Sequence, residues 1–152
     1  MPNSAEPQLS KNSETWYTPG QIARVLNISV ETLRLYEREG LIIPEKAVSG
    51  HRRYNDNDLA WIAMIRKQIH EHKLNFAGIR YVLSMLPCWE IKNCCLGANY
   101  IDCPAKQVND KPCWSVPDTP CKEKGESCRD CPIYAMAVEI DTFKQKLAVK
   151  LR

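Results

Sequence analysis

The chain has 152 residues, 44% of them hydrophobic, with eight cysteines and a formal net charge of +3; that suffices for one ordinary domain and a small second module, not for two large cores or an elaborate enzyme. The charge is spread evenly, with eleven Lys/Arg against nine acids over residues 1–87 and ten against nine beyond, so any attraction to nucleic acid has to come from a local patch. The longest strongly apolar run, LAWIAMI, is seven residues, against the roughly 20 that cross a bilayer, and MPNSAEPQLSKNSE has no signal-peptide pattern. No membrane association and a cytoplasmic location are expected. There thiols stay reduced, and clustered cysteines hold metal or do redox chemistry more readily than they form disulfides.

Residues 1–14 are polar and without period, and read as a disordered tail. Residues 15–86 are dense in helix punctuation. Thr18, Pro19 and Gln21 make a capping box ahead of Ile22, Val25 and Leu26 on one face. After a turn at Asn27 and Ile28, Ser29 caps a second helix with Val30, Leu33 and Tyr36 inward, and Gly40 ends it as a left-handed residue. Two short helices joined by a tight turn predict a helix-turn-helix. LIIPEKAVSGHRRY then predicts a small two-stranded wing. Asn55 and Asp58 cap a third helix running to about His72, with Leu59, Ile62, Ala63, Arg66 and Ile69 at helical spacing. Asn75 caps a fourth, with Ile79, Val82, Leu83 and Leu86 inward, stopped by Pro87. His70 and His72 are expected on the surface. Residues 87–132 hold all the cysteines. In residues 133–152, Ile133, Met136, Ile140, Phe143 and Leu147 alternate by three and four. That spacing suits a dimerisation helix or a helix packed on its own core, and the former is expected.

The stretch TLRLYEREGLIIPEKAVSGHRRYNDNDLAWI, with TPGQIARVLNIS before it and LNFAGIRYVL after it, resembles the DNA-binding domain of the MerR family, in particular its heat-shock-repressor-like subgroup. The resemblance covers residues 16–86. It implies a dimeric regulator, not an enzyme, that binds an inverted repeat in double-stranded promoter DNA, where RNA polymerase would be a further partner. The N-terminal part of the second helix would enter the major groove, so Ser29, Val30, Glu31 and Arg34 could read bases, Arg34 with the fork suited to guanine. His51, Arg52 and Arg53 stand at the wing, within reach of flanking phosphates. By residue-for-residue resemblance, Arg34 and Tyr36 approach DNA while Arg52 and Tyr54 serve the wing. Against these stand plainer roles: Glu37, Arg38 and Glu39 as a solvated helix face, and Tyr54 pinning the wing to the third helix.

The cysteine segment departs from that family's pattern, in which a long dimerisation helix follows the fourth helix directly. Its spacing is Cys88-x5-Cys94-Cys95-x7-Cys103-x9-Cys113-x7-Cys121-x6-Cys128-x2-Cys131. PCWEIKNC…CPA and PCWSVPDTPC…CPIY form a degenerate repeat resembling the two-CW modules of bacterial sensor proteins. Structural zinc generally uses two Cys-x2-Cys knuckles, and only Cys128 and Cys131 form one, with no histidine after position 72. An iron-sulfur cluster accepts thiolates from scattered positions and is familiar with a terminal Cys-Pro, although neither common ferredoxin spacing is present. The candidate ligands are Cys88, Cys94, Cys95, Cys103, Cys113, Cys121, Cys128 and Cys131; adjacent Cys94 and Cys95 are not expected on one ion. A 4Fe-4S cluster is expected, with zinc and a metal-free thiol switch as alternatives. Trp89 and Trp114 could exclude water from such a centre or simply be core. The expected fold is mainly α: a winged helix-turn-helix, a small cysteine-rich metal or cluster module and a C-terminal dimerisation helix. The expected function is a redox- or iron-sulfur-sensing regulator; the rivals are a regulator with a purely structural zinc module and an electron-transfer protein.

Overall fold

The computed structural model describes residues 15–94, 96–143 and 145. The expected tail at 1–14, Cys95, and the end of the expected C-terminal helix with Leu147 lie outside the described residues. Helix α1 spans Pro19–Leu26, with Thr18 and Gln21 closing the capping box. Asn27 ends α1 at φ 54 and turns the chain into α2, Val30–Arg38, where the Ser29 side chain accepts from the Thr32 amide. Gly40, at φ 73, then redirects the chain, and a Cβ there would meet Ser115 Oγ at 2.5 Å, so conformation and space both require glycine.

The wing pairs β1, Glu45–Lys46, with β2, Arg52–Arg53, in antiparallel register, Glu45 opposite Arg53 and Lys46 opposite Arg52. An isolated backbone bridge between Tyr17 and Tyr54 ties the wing to the start of the domain. Helix α3, Asp56–His70, begins with a second capping box from Asn55 and Asp58, and α4, Phe76–Ser84, is capped by Asn75. Two faces differ from expectation. In α1 Val25 is exposed and Ala23 buried beside Ile22. In α3 the buried stripe is Trp61, Ile62, Ile65 and Gln68 while Ala63 is exposed. Trp61, the first residue of that stripe, donates its Nε1 hydrogen to Leu41 O at 2.8 Å and so keeps its polar atom paired inside the core.

Beyond Pro87 the chain makes short turns: α5 at Cys88–Ile91, a 3-10 stretch at Gly97–Asp102, α6 at Pro104–Gln107, a 3-10 turn at Cys113–Ser115, α7 at Pro120–Glu123 and α8 at Pro132–Ala135. The sequence repeat has a structural counterpart. Both Pro-Cys-Trp motifs place the cysteine first in a helical turn, and both Cys-Pro motifs place it at the N-cap of a turn whose first residue is proline, the position where a missing N–H costs nothing.

The described C-terminal residues do not form the single helix expected there. After α8 the described residues form a 3-10 stretch, Met136–Thr142, interrupted at Glu139 with φ −95 and ψ 18. It packs on α3 and α4. Ile133, Ile140 and Phe143 are buried in this chain's own core, so the three-and-four spacing marks the side that closes the molecule. Among the described residues no helix is long and apolar enough to cross a membrane.

Candidate functional site

Two regions carry chemistry. The first is the outer side of α2 with the wing. Ser29, Glu31 and Arg34 are exposed on the N-terminal half of α2 and His51 is exposed at the wing turn, while Val30 is half-buried. The other expected residues are placed differently. Tyr36 and Tyr54 are 3% and 2% exposed: Tyr36 meets Phe76 edge-on at 5.8 Å, and Tyr54 lies under the wing with its backbone paired to Tyr17. Both rings are core pieces, and burial is the first cause of their raised hydroxyl pKa values. Arg52 does not extend from the wing. Its Nε and Nη2 donate to the Glu37 carboxylate at 2.8 and 3.0 Å, a bidentate pair that locks the wing to α2, so Glu37 is a tie and not only solvated surface. Arg53 lies over the Trp16 ring, 4.0 Å from its centroid.

The second region is a pocket into which Cys88, Cys94, Cys103, Cys113, Cys121, Cys128 and Cys131 all open. No disulfide joins them, and Cys103 is the most buried. Backbone turns aim them inward: the Cys131 amide donates to Cys128 O, the Cys103 amide to Tyr100 O, and Cys88 O accepts from the Lys92 amide. Burial, reinforced by the charges of neighbouring cysteines, pushes the Cys88 thiol up to about 11 and Cys113 up to about 12. Cys128 is raised as well, chiefly by burial, with Lys122 opposing. Cys88, Cys113 and Cys128 are therefore held toward their neutral form, and a metal centre that needs them as thiolates has to displace their protons. Lys92 also lines the pocket and donates to Glu126 at 2.7 Å; that hydrogen bond is the main cause of its raised pKa. Among the described residues no three His, Cys, Asp or Glu side chains converge as closely as a single ion requires; the sulfurs surround a space.

The tryptophans differ in role. Trp89 stacks on Tyr100 at 5.3 Å with Lys106 over its ring at 4.0 Å. Trp114 is buried, edge-on to Tyr134 at 5.1 Å, and its Nε1 donates to Gly40 O at 2.8 Å. Ser115 Oγ donates to the same carbonyl at 2.9 Å.

Sequence reasoning missed Arg129. It lies between Cys128 and Cys131, its side chain only 10% exposed, and its guanidinium donates to Ile43 O at 2.5 Å, to Asp58 Oδ1 at 2.8 Å and to Asp58 Oδ2. Its Nε lies 3.3 Å from Glu45. Tyr134 completes the contact, its hydroxyl oxygen accepting from the Ile43 amide at 2.9 Å. Its partners Asp58 and Ile43 lie 71 and 86 residues away in the chain, so no local signal announced it.

Residues 17–86 match the family model described as MerR HTH family regulatory protein. The chain is 46% identical over 44 residues to the HTH-type transcriptional activator TipA of Streptomyces coelicolor, covering 28% of this chain and 17% of TipA. It is 45% identical over 47 residues to the HTH-type transcriptional regulator ZntR homolog of Haemophilus influenzae, covering 30% of this chain and 35% of that protein. To HspR of Streptomyces coelicolor it is 26% identical over 69 residues, 45% of this chain and 46% of HspR. Each match spans less than half of the relative's own length. Among solved structures, HiNmlR, described as a MerR family regulator lacking the sensor domain and bound to promoter DNA, aligns over 89% of this chain and 64% of that chain, with 22% identity and a TM-score of 0.36.

Proposed function

We propose that this chain, whose residues 17–86 are a MerR-type helix-turn-helix domain, is a dimeric DNA-binding transcriptional regulator that senses through an iron-sulfur cluster held in its cysteine pocket. DNA binding rests on the family match together with the exposed N-terminal half of α2, where Ser29, Glu31 and Arg34 face outward in the position that enters a major groove. An inverted-repeat promoter site calls for two copies, and a promoter site brings the regulator beside RNA polymerase. No catalytic role is proposed.

The observation that carries the cluster is the convergence of seven thiols on one pocket. The lining groups offer sulfur and no imidazole, the donor set that an iron-sulfur cluster takes. Cys88, Cys103, Cys113 and Cys131, the positions matched in the repeat, are the first candidates to hold it, with Cys128 close behind. When bound, such a cluster supplies a one-electron couple and cross-links distant parts of the module. Lys92 in the pocket wall would offset part of the negative charge of the thiolates.

The test is purification under strict anaerobiosis with a visible spectrum and iron, sulfide and zinc analysis. Broad absorption near 400 nm with iron and sulfide is expected, lost on Cys→Ser at any of those four positions while α1 to α4 stay folded. A colourless protein holding stoichiometric zinc, with DNA affinity indifferent to its removal, would replace the sensor by a structural staple. DNA binding is tested separately, by selecting duplexes from a random-sequence pool.

A further inference from the structure

We propose that Arg129 is the positioning residue through which the state of the cysteine pocket reaches the wing and the start of α3. This rests on the reading of the pocket as a cluster site, and it adds the route by which occupancy changes DNA binding.

The geometry is specific. Cys128 and Cys131 both open into the pocket, and the backbone between them is a tight turn, the Cys131 amide donating to Cys128 O at 3.2 Å. Arg129 rides on that turn and points the other way. Its guanidinium reaches a backbone carbonyl just before the wing, Ile43 O, a wing residue, Glu45, and both oxygens of Asp58. Asp58 is 5% exposed and is also the carboxylate that closes the α3 capping box, accepting from the Asn55 amide at 2.7 Å. One side chain thus joins the cluster loop to the linker, to β1 and to the N-terminus of α3.

The linker is gripped on both sides. The peptide groups of Ile43 are taken by Tyr134, one residue past the Cys131-Pro132-Ile133 step, and by Arg129, while Gly40 O is held by Trp114 and Ser115 directly after Cys113. Gly40 follows α2 and Glu45 begins the wing, so both clamps act on the segment that sets the wing relative to the recognition helix. Arg129 is the decisive clamp because a fork holding a buried carboxylate does not slide. It is either docked, or Asp58 is left as an uncompensated buried charge. That two-way choice is what a switch needs. Loss of the cluster frees the Cys128–Cys131 turn, and the fork moves with it.

The experiment uses the full-length protein, reconstituted anaerobically with ferrous iron and sulfide and, in parallel, stripped of metal, on a duplex recovered by selection from random sequences. For the unaltered protein the two forms should differ in affinity by roughly 5- to 150-fold. Arg129→Lys keeps the charge and loses the fork. It should hold wild-type iron and sulfide, while the affinity ratio between its two forms falls to within about twofold of one. Asp58→Asn, altered on the acceptor side, should do the same, and it serves if the lysine variant does not fold. A merely structural arginine would lower the melting temperature and leave the ratio intact; that result in either variant overturns the proposal. An unaltered protein that takes up no iron, or whose two forms bind equally, overturns the pocket reading itself, and does so before any variant is made.

Discussion

Replacing Ile140 by glutamate separates a core from a subunit seam. Ile140 is 7% exposed and packs with Ala137 and Phe143 in the same cluster as Ile62 and Ile65 of α3. Removing its apolar surface from the interior forfeits about 1.5–3 kcal/mol. The carboxylate put in its place has then to stay neutral at pH 7. Raising a glutamate from about 4.3 to 7 costs nearly 4 kcal/mol at 1.36 kcal/mol per pKa unit. Together these reach about 5–7 kcal/mol, the size of a small domain's whole stability, so Ile140→Glu should be largely unfolded at 25 °C, whereas Ile140→Val should lose only about 0.5–1.5 kcal/mol. Thermal unfolding followed by circular dichroism, with sedimentation velocity on the same samples, reads both quantities. A glutamate variant that melts with the unaltered protein, yet sediments as a monomer where that protein is a dimer, would refute the burial and restore the seam.

The α2 face and the wing should separate on DNA. Arg34→Ala should cost about 1–3 kcal/mol and relax sequence preference; Arg52→Ala, which leaves Glu37 unpaired, should weaken every sequence alike with the salt slope unchanged, and a slope falling by about one would instead place Arg52 on a phosphate. The Lys67–Asp141 contact predicts a pH dependence. The hydrogen bond from Lys67, then that from Gln68, lowers the Asp141 carboxyl below its usual value. A depressed folded value means stabilisation present above the unfolded carboxylate pKa of about 3.9 and lost as pH falls through the folded one. The melting-temperature gap between the unaltered protein and Asp141→Asn should therefore be open at pH 6 and close in strong acid; a gap constant through that window would remove the contact.

What the sequence disclosed was whatever depends on neighbours a few residues apart. Thr18 with Gln21 and Asn55 with Asp58 are capping boxes in the structure because both partners stand within one turn, and Gly40 is left-handed where a helix had to stop. The phase of a face was less legible. Helix α3 carries apolar residues on more than one side, so the spacing of Leu59, Ile62, Ala63, Arg66 and Ile69 fitted a period without fixing its rotation, and the buried stripe instead runs through Trp61, Ile62, Ile65 and Gln68. Tyr36 and Tyr54 each carried two readings, a DNA or wing contact by resemblance and an inward or pinning role from the residues, and their burial, with Tyr36 edge-on to Phe76 and the Tyr54 backbone bridged to Tyr17, agrees with the second. The C-terminal spacing marked the buried side correctly, yet could not distinguish a continuous helix from turns broken at Glu139.

The two halves of the cysteine repeat share their cysteines and differ in the side chains next to them, and that divergence says how the module is joined to the rest. After Cys88 comes Trp89, which stacks with Tyr100 and Lys106 inside the module. After Cys113 come Trp114 and Ser115, both spent on Gly40 O, and around Cys131 stand Arg129 and Tyr134, both spent on Ile43. These four docking groups all lie in the second half, each within three residues of a pocket thiol. Placed there, they put the linker between α2 and the wing in direct contact with residues that flank those thiols. Arg129 and Asp58 stand 71 residues apart in the chain, so no local pattern announces the pairing. The cysteine spacing is legible in the sequence, whereas only the fold shows which distant parts of the chain lie beside those thiols.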